Sequence, residues 1–251
     1  MPGTSRREFT KRSLGSLLTF SLLETLLERD ALADKIKPLT IRWLGELNEL
    51  SSDLKDENLK QIAWQQKVED LFARVELSEL LELVDFDRLT ENVKFVDKGA
   101  RSLRFKFRQI DGVPTNLIFG KQIFAVKKDR SVVPHGHNNM ATAFLILKGA
   151  FQGRHYDRVE DEADHFIIRP TIDRTFGLAD FSTISDYKDN VHWFKAMTES
   201  AFIFNIHVVG LNPGSKKRNG RVYLDPKGEE LKGGLIRAPR INYKEALERY
   251  G

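Results

Sequence analysis

The residues best suited to chemistry lie in V-P-H-G-H-N-N-M-A-T-A-F-L-I-L-K-G, from Val133 to Gly149, where His135 and His137 stand two apart ahead of an apolar run. Residues two apart on a strand point to the same face. The spacing therefore predicts two imidazoles side by side at the start of a strand whose later residues are apolar. Neutral imidazole is a ligand for first-row metals such as iron, zinc, copper and nickel. Two histidines make half a metal site. The plainer reading is a pair of loop histidines beside Pro134, so the rest of the chain has to decide.

The chain has 251 residues, 41% hydrophobic and 30% charged, a balance that can fill a real core. Its net charge of +4 is small, and the charges are interleaved except at Lys216-Lys217-Arg218 in a Gly/Pro/Asn loop. Without a long basic stripe, a nucleic-acid surface is not expected. No cysteine is present. Disulfides, thiolate ligands, a cysteine nucleophile and a lipid-modified N-terminal cysteine are thereby excluded.

The elements that must position the histidines come in two blocks. From Asp34 to about Asn92, Leu39, Trp43, Leu44, Leu47 and Leu50 fall near a 3.6-residue period, as do Ile62, Val68, Leu71 and Phe72. These stripes read as packing faces of helices. Ser51-Ser52-Asp53 is expected to break the first helix and cap the next, and Ser78 to Val84 to form a third. Beyond Asn92 the period falls to two. Leu103-Arg104-Phe105-Lys106-Phe107-Arg108 alternates as a half-exposed strand does, and Thr115–Val126, Ala141–Leu147, His165–Arg169 and Ser200–Val209 also read as strands. His155 reads as a partly exposed residue at a strand edge before the acidic turn Glu160-Asp161-Glu162. Arg221 to Asp225 is expected to add an edge strand, and Asn242 to Tyr250 a short terminal helix. Helices followed by many short strands predict a mainly β chain, a sandwich or barrel with a helical N-terminal cap, folded as one unit.

At the N-terminus, Ser5-Arg6-Arg7-Glu8-Phe9-Thr10-Lys11 resembles the twin-arginine export motif, followed by an apolar run from Leu14 to Leu27 and an A-x-A site ending at Ala33. That resemblance implies a signal peptide over 1–33, cleavage near Ala33, the twin-arginine export machinery as partner, and a periplasmic or secreted product. The run carries Glu24 and Glu28 and is too short to span a bilayer. The alternative is an amphipathic N-terminal helix. The cap then occupies 34–92 and the barrel 93–251. Because twin-arginine export moves folded chains, a metal could be loaded before export.

A family resemblance joins these parts. P-H-G-H-x4-T-x6-G resembles the first cupin motif, H-x-H-x3–4-E-x6-G, with Thr142 at the place of the usual glutamate ligand. The cupin branch that lacks this glutamate is that of the cysteine dioxygenase-like thiol dioxygenases, which bind iron through three histidines. Asp189-Asn190-Val191-His192-Trp193, and then Asn205-Ile206-His207 with its histidine fifteen residues on, match the later histidines of that branch. The likeness runs from about Leu80 to Pro213. It implies a cupin jelly-roll barrel with His135, His137 and His192 holding Fe(II), and a small thiol and O₂ as substrates, with both oxygen atoms ending on sulfur as a sulfinate. It further implies His207 and Asn205 in catalysis, Arg108 on a substrate carboxylate, and Asp189 or Asn190 fixing the ligand imidazoles. Where the branch has Ser-x-His-x-Tyr, this chain reads Asn205-x-His207-x-Val209. The missing hydroxyl, and the lack of any cysteine to crosslink, point to a thiol other than free cysteine. Two alternatives stay open: a non-catalytic metal- or ligand-binding periplasmic cupin, and a zinc- or nickel-dependent hydrolase or isomerase.

Overall fold

In the computed structural model, residues 38–108 and 111–251 are described; the twin-arginine-like motif, Ala33 and the cleavage expected there lie outside them. After a short β1 (Arg101–Leu103), eight strands carry the fold: β2 (Gly120–Lys127), β3 (Ser131–Asn138), β4 (Met140–Lys148), β5 (Phe151–Asp161), β6 (His165–Phe176), β7 (Phe181–Ile184), β8 (Val191–Ala196) and β9 (Ser200–Val209). They are shared between two antiparallel sheets in the orders β2-β9-β4-β7 and β3-β8-β5-β6. That interleaving is the double Greek key of a jelly roll. β10 (Gly220–Tyr223) extends the second sheet beside β3, and β11 (Glu229–Leu231) and β12 (Leu235–Pro239) extend it beyond β6.

Both faces of the first sheet are covered, which explains why its strands read as apolar runs instead of alternating. On β9, Ala201 and Ile203 turn into the barrel with Phe144, Ile146 and Phe194. Phe202, Phe204, Ile206 and Val208 turn the other way. There they meet α1 (Pro38–Lys55) and α2 (Gln61–Phe72), whose Trp43, Leu44, Leu47, Trp64, Val68 and Leu71 are buried. Two shorter helices, α3 (Leu77–Leu83) and α4 (Phe86–Thr90), complete the cap, and Phe86 of α4 sets its ring edge-on to Phe202. Among the described residues, no helix is long and apolar enough to cross a membrane.

Several local expectations are corrected. α1 runs through Ser51-Ser52-Asp53 without a break, because the Ser51 hydroxyl donates to the Leu47 carbonyl one turn back (2.7 Å) instead of capping a new helix. The alternating segment after β1 does not pair as a strand beyond Leu103. Its end is drawn to the cap instead, where the Arg108 amide donates to the Leu83 carbonyl (3.1 Å). β2 begins at Gly120, not Thr115, and β6 extends well past Arg169. The apolar run after His137 does not continue the same strand. Asn139, at φ 56°, turns the chain, and the run becomes β4 in the opposite sheet. The tail behaves as its sequence indicates, with β10 at a sheet edge and α5 (Tyr243–Tyr250) capped by Asn242, whose side chain accepts from the Glu245 amide (3.0 Å).

Candidate metal centre

His135 and His137 lie near the end of β3, facing the barrel interior, and β8 runs antiparallel beside it with His192 directly opposite His135. One donor nitrogen from each of the three imidazoles falls within 4.8 Å of the others, and all three side chains are buried. The Nε2 atoms of His135 and His192 are 3.0 Å apart. His137 sits edge-on to His192, with ring centroids 5.2 Å apart.

The protonation of these rings is dictated by their neighbours. His135 Nδ1 lies 2.7 Å from the Val133 carbonyl, which can only accept. Nδ1 therefore carries the hydrogen, and Nε2 turns a bare lone pair toward His192. His137 Nδ1 lies 3.2 Å from the Thr142 hydroxyl, while its Nε2 is buried with no partner among the described residues. Burial is the main cause that lowers the basicity of all three; His135 is pushed down to about 3, with the Arg221 charge adding to the effect. His137 and His192 are held well below the ordinary histidine range, by burial first and by neighbouring histidines next. At neutral pH the cluster is three uncharged imidazoles. A cation fits this donor set: it would complete His137 Nε2, and two nitrogens bound at about 2.1 Å and at right angles lie about 3.0 Å apart, the His135–His192 separation. Thr142, in the place of a carboxylate, contributes a hydroxyl to His137 and no charge to the cluster.

The strand end is locked from outside. The His137 carbonyl accepts from Asn190 Nδ2 (2.9 Å) and Arg158 Nη1 (3.3 Å), and the His137 amide donates to Asn190 Oδ1 (3.2 Å). Of the two residues expected to steady the ligands, Asn190 holds His137 by its backbone. Asp189 is turned away to Thr171. Below the cluster lies an apolar floor, with the Phe144 ring 4.7 Å from that of His192 and Phe194 behind it.

No family profile matches the chain, and no curated protein matches it in sequence. Solved structures match parts of it. An 11S globulin from Wrightia tinctoria, described with an auxin binding site, aligns over 42% of this chain at 10% identity and a TM-score of 0.31. Procruciferin, the 11S globulin of Brassica napus, aligns over 38% at 11% identity and a TM-score of 0.31. An uncharacterized conserved Klebsiella pneumoniae protein with a double-stranded β-helix domain aligns over 50% at 13% identity, covering 90% of that chain, with a TM-score of 0.32. The matches span only 22% and 21% of the two globulin chains. Such partial likenesses say nothing of activity or ligand. The strand order alone decides the architecture. The fold is a jelly-roll barrel.

The other residues singled out in the sequence divide. His207 lies on β9 opposite both Thr142 of β4 and Gly120 of β2. Its ring rests over Gly120, where any Cβ would collide with it. It forms part of the wall of a cavity of about 990 Å³ that also includes Met140, Val209 and Arg221. Its Nδ1 has no partner among the described residues, and burial followed by the Arg221 charge keeps its basicity below the usual histidine value. Asn205 shares that face of β9, but its amide is engaged: Oδ1 accepts from Gln122 (3.0 Å), and Nδ2 donates to the Ala143 carbonyl (3.4 Å).

Arg108 is in the wrong place for a substrate carboxylate. Its guanidinium is paired with Asp85 (2.5 Å) at the start of α4 and is not among the cavity residues. His155 also departs from expectation. It lies in a central strand, directly opposite His192 on β8, and is wholly buried, with rings of Phe176 and Phe194 around it. A cationic side chain that reaches the barrel mouth is Arg221, opposite His137 in the register, with its guanidinium 5.6 Å from the Phe124 ring. The sequence placed Arg221 only on an edge strand. Nothing local marks which strand that edge would pair with.

Proposed function

We propose that this protein is an iron-dependent dioxygenase that oxidises a small thiol to a sulfinate. The observation that carries the reading is the set of three neutral buried imidazoles with Thr142, not a carboxylate, beside them. His135, His137 and His192 would hold Fe(II), which supplies open coordination positions where a thiolate and O₂ can bind together. Uncharged ligands leave the ion's charge uncompensated, which favours an anionic sulfur. His207, neutral at physiological pH and part of the cavity wall, is suited to take the thiol proton as the substrate enters the cavity. Asn205 and Gln122 keep the β9 and β2 strands in register beneath that ring. The apolar floor of Phe144 and Phe194 excludes water below the reacting atoms.

Metal analysis of the purified protein, with oxygen uptake measured on a panel of small thiols, tests the proposal. Iron at stoichiometric level and thiol-dependent uptake with sulfinate as product are expected. Stoichiometric zinc or nickel with no uptake on any thiol would contradict it and favour a hydrolase or a non-catalytic binding cupin, the latter being the reading that Val209 in the cavity wall, where the resembling branch has a tyrosine, supports.

We also propose export by the twin-arginine route, on the strength of Ser5 to Lys11 and the A-x-A site. Replacing Arg6 and Arg7 together by lysine is expected to hold the protein in the cytoplasm. Unchanged delivery to the periplasm would contradict a receptor-read motif.

A further inference from the structure

The cavity at the barrel mouth has an electrostatic character that the thiol reading does not require. Four of its lining residues are cations, Arg104, Lys106, Lys121 and Arg221, and none is a carboxylate. No ion pair to any of the four exists among the described residues, whereas basic side chains elsewhere find carboxylates, as in Arg154–Asp173 and Lys195–Asp129. Lys121 has only aromatic company, its ammonium 5.2 Å from the Phe107 ring and 5.6 Å from Phe105. Burial, and then the charge of Lys106, lower its basicity. Like charges gathered in a partly enclosed space repel one another, and that repulsion is relieved only by anions.

The cations come from three elements. Arg104 and Lys106 come from the segment that follows β1, Lys121 from β2 of the same sheet, and Arg221 from β10 on the opposite sheet. Between them the wall includes the apolar side chains of Phe105, Met140 and Val209. A volume of about 990 Å³ is at the upper end for small-molecule sites and larger than a simple thiol needs.

We infer that the mouth is a binding site for an organic polyanion, a small molecule carrying two or more carboxylate groups on a compact apolar body. The carboxylates are met by Arg221 on one side and by Arg104 and Lys106 on the other, and the body rests against Phe105 and Met140. Arginine can take a carboxylate through two parallel hydrogen bonds, which fixes orientation as well as charge. The site does not depend on the metal, because none of its four cations belongs to the histidine cluster.

Calorimetric titration with benzene-1,3,5-tricarboxylate tests this, with benzoate and inorganic phosphate as the comparison ligands. The tricarboxylate is expected to saturate one site and to bind roughly tenfold or more tightly than either comparison ligand, with affinity falling steeply at about 0.5 M salt. Arg221→Ala and Lys106→Ala should each weaken it by roughly tenfold, while Lys244→Ala on α5 should change nothing. All three side chains are exposed, so unchanged melting temperatures are expected to accompany the losses. The same titration after metal removal by a chelator should give the same affinity. Binding that vanishes with the metal would place the anion on the metal and overturn the inference while leaving the thiol reading intact. Equal affinity for phosphate, or indifference to Arg221→Ala, would overturn it as well.

Discussion

His207→Ala is expected to keep its metal and its fold while thiol-dependent oxygen uptake falls by roughly 10²–10⁴-fold, the usual size of a positioned acid–base contribution. The expectation follows from three features of the ring. It faces the barrel interior on β9, it stands opposite Thr142, which touches His137, and it forms part of the cavity wall. If His207 only filled space, truncation would cost a few kcal/mol of stability, roughly as other buried deletions do, and uptake would fall only with the folded fraction. Metal content, melting temperature and uptake measured on one preparation separate the two. Gly120→Ala provides a second approach, since the added Cβ displaces the ring without removing it. A folded, metal-loaded His207→Ala protein with wild-type turnover would remove the residue from the reaction.

The metal-free protein is expected to lose stability sharply as the pH falls from 7 to 5. In the folded state, burial pushes His135 and His155 down to about 3, so neither takes a proton in this range. In the unfolded chain each takes one near the ordinary value of about 6.5. The unfolded state therefore binds more protons, and stability is lost as the pH drops below 6.5, continuing until about 3. Between pH 7 and 5 each of these two residues costs about 2 kcal/mol. His137 and His192 act in the same direction. Urea midpoints measured with chelator present should fall by an amount large against the stability of an ordinary domain. His155→Leu should remove about one proton from the pH slope. Midpoints that coincide at pH 7 and 5 would mean that the imidazoles are not held neutral in the interior.

How far the sequence could foresee this site depended on the range of the interactions involved. The pair His135 and His137 is a local pattern, and strand geometry alone sets both on one face. Its completion by His192 rests on β3 and β8 lying side by side, a pairing across 57 residues that no periodicity encodes. Only the family resemblance supplied it. The helical cap was legible because Trp43, Leu44 and Leu47 repeat at helical spacing, whereas the run through Ser51 was not, since a serine can bond back into its own helix as well as end it. Arg108 illustrates the limit most clearly. Alternation puts Arg104, Lys106 and Arg108 on one face of the segment after β1. Asp85 and the Leu83 carbonyl then draw Arg108 to the helical cap, and its two predecessors are left at the barrel mouth. His155 looked like an edge residue because charges surround it in sequence, among them Arg154, Asp157 and Arg158. The strands on either side of β5 cover it completely.

The account turns on the three histidines acting as one metal site. Metal content per chain, measured on wild type and on His135→Ala, His137→Ala, His192→Ala and His165→Ala prepared alike, tests that most directly. Stoichiometric metal is expected in the wild type and in His165→Ala, whose ring lies beside Glu162 at the start of β6, and none in the other three. Metal in His192→Ala equal to that of the wild type would contradict it.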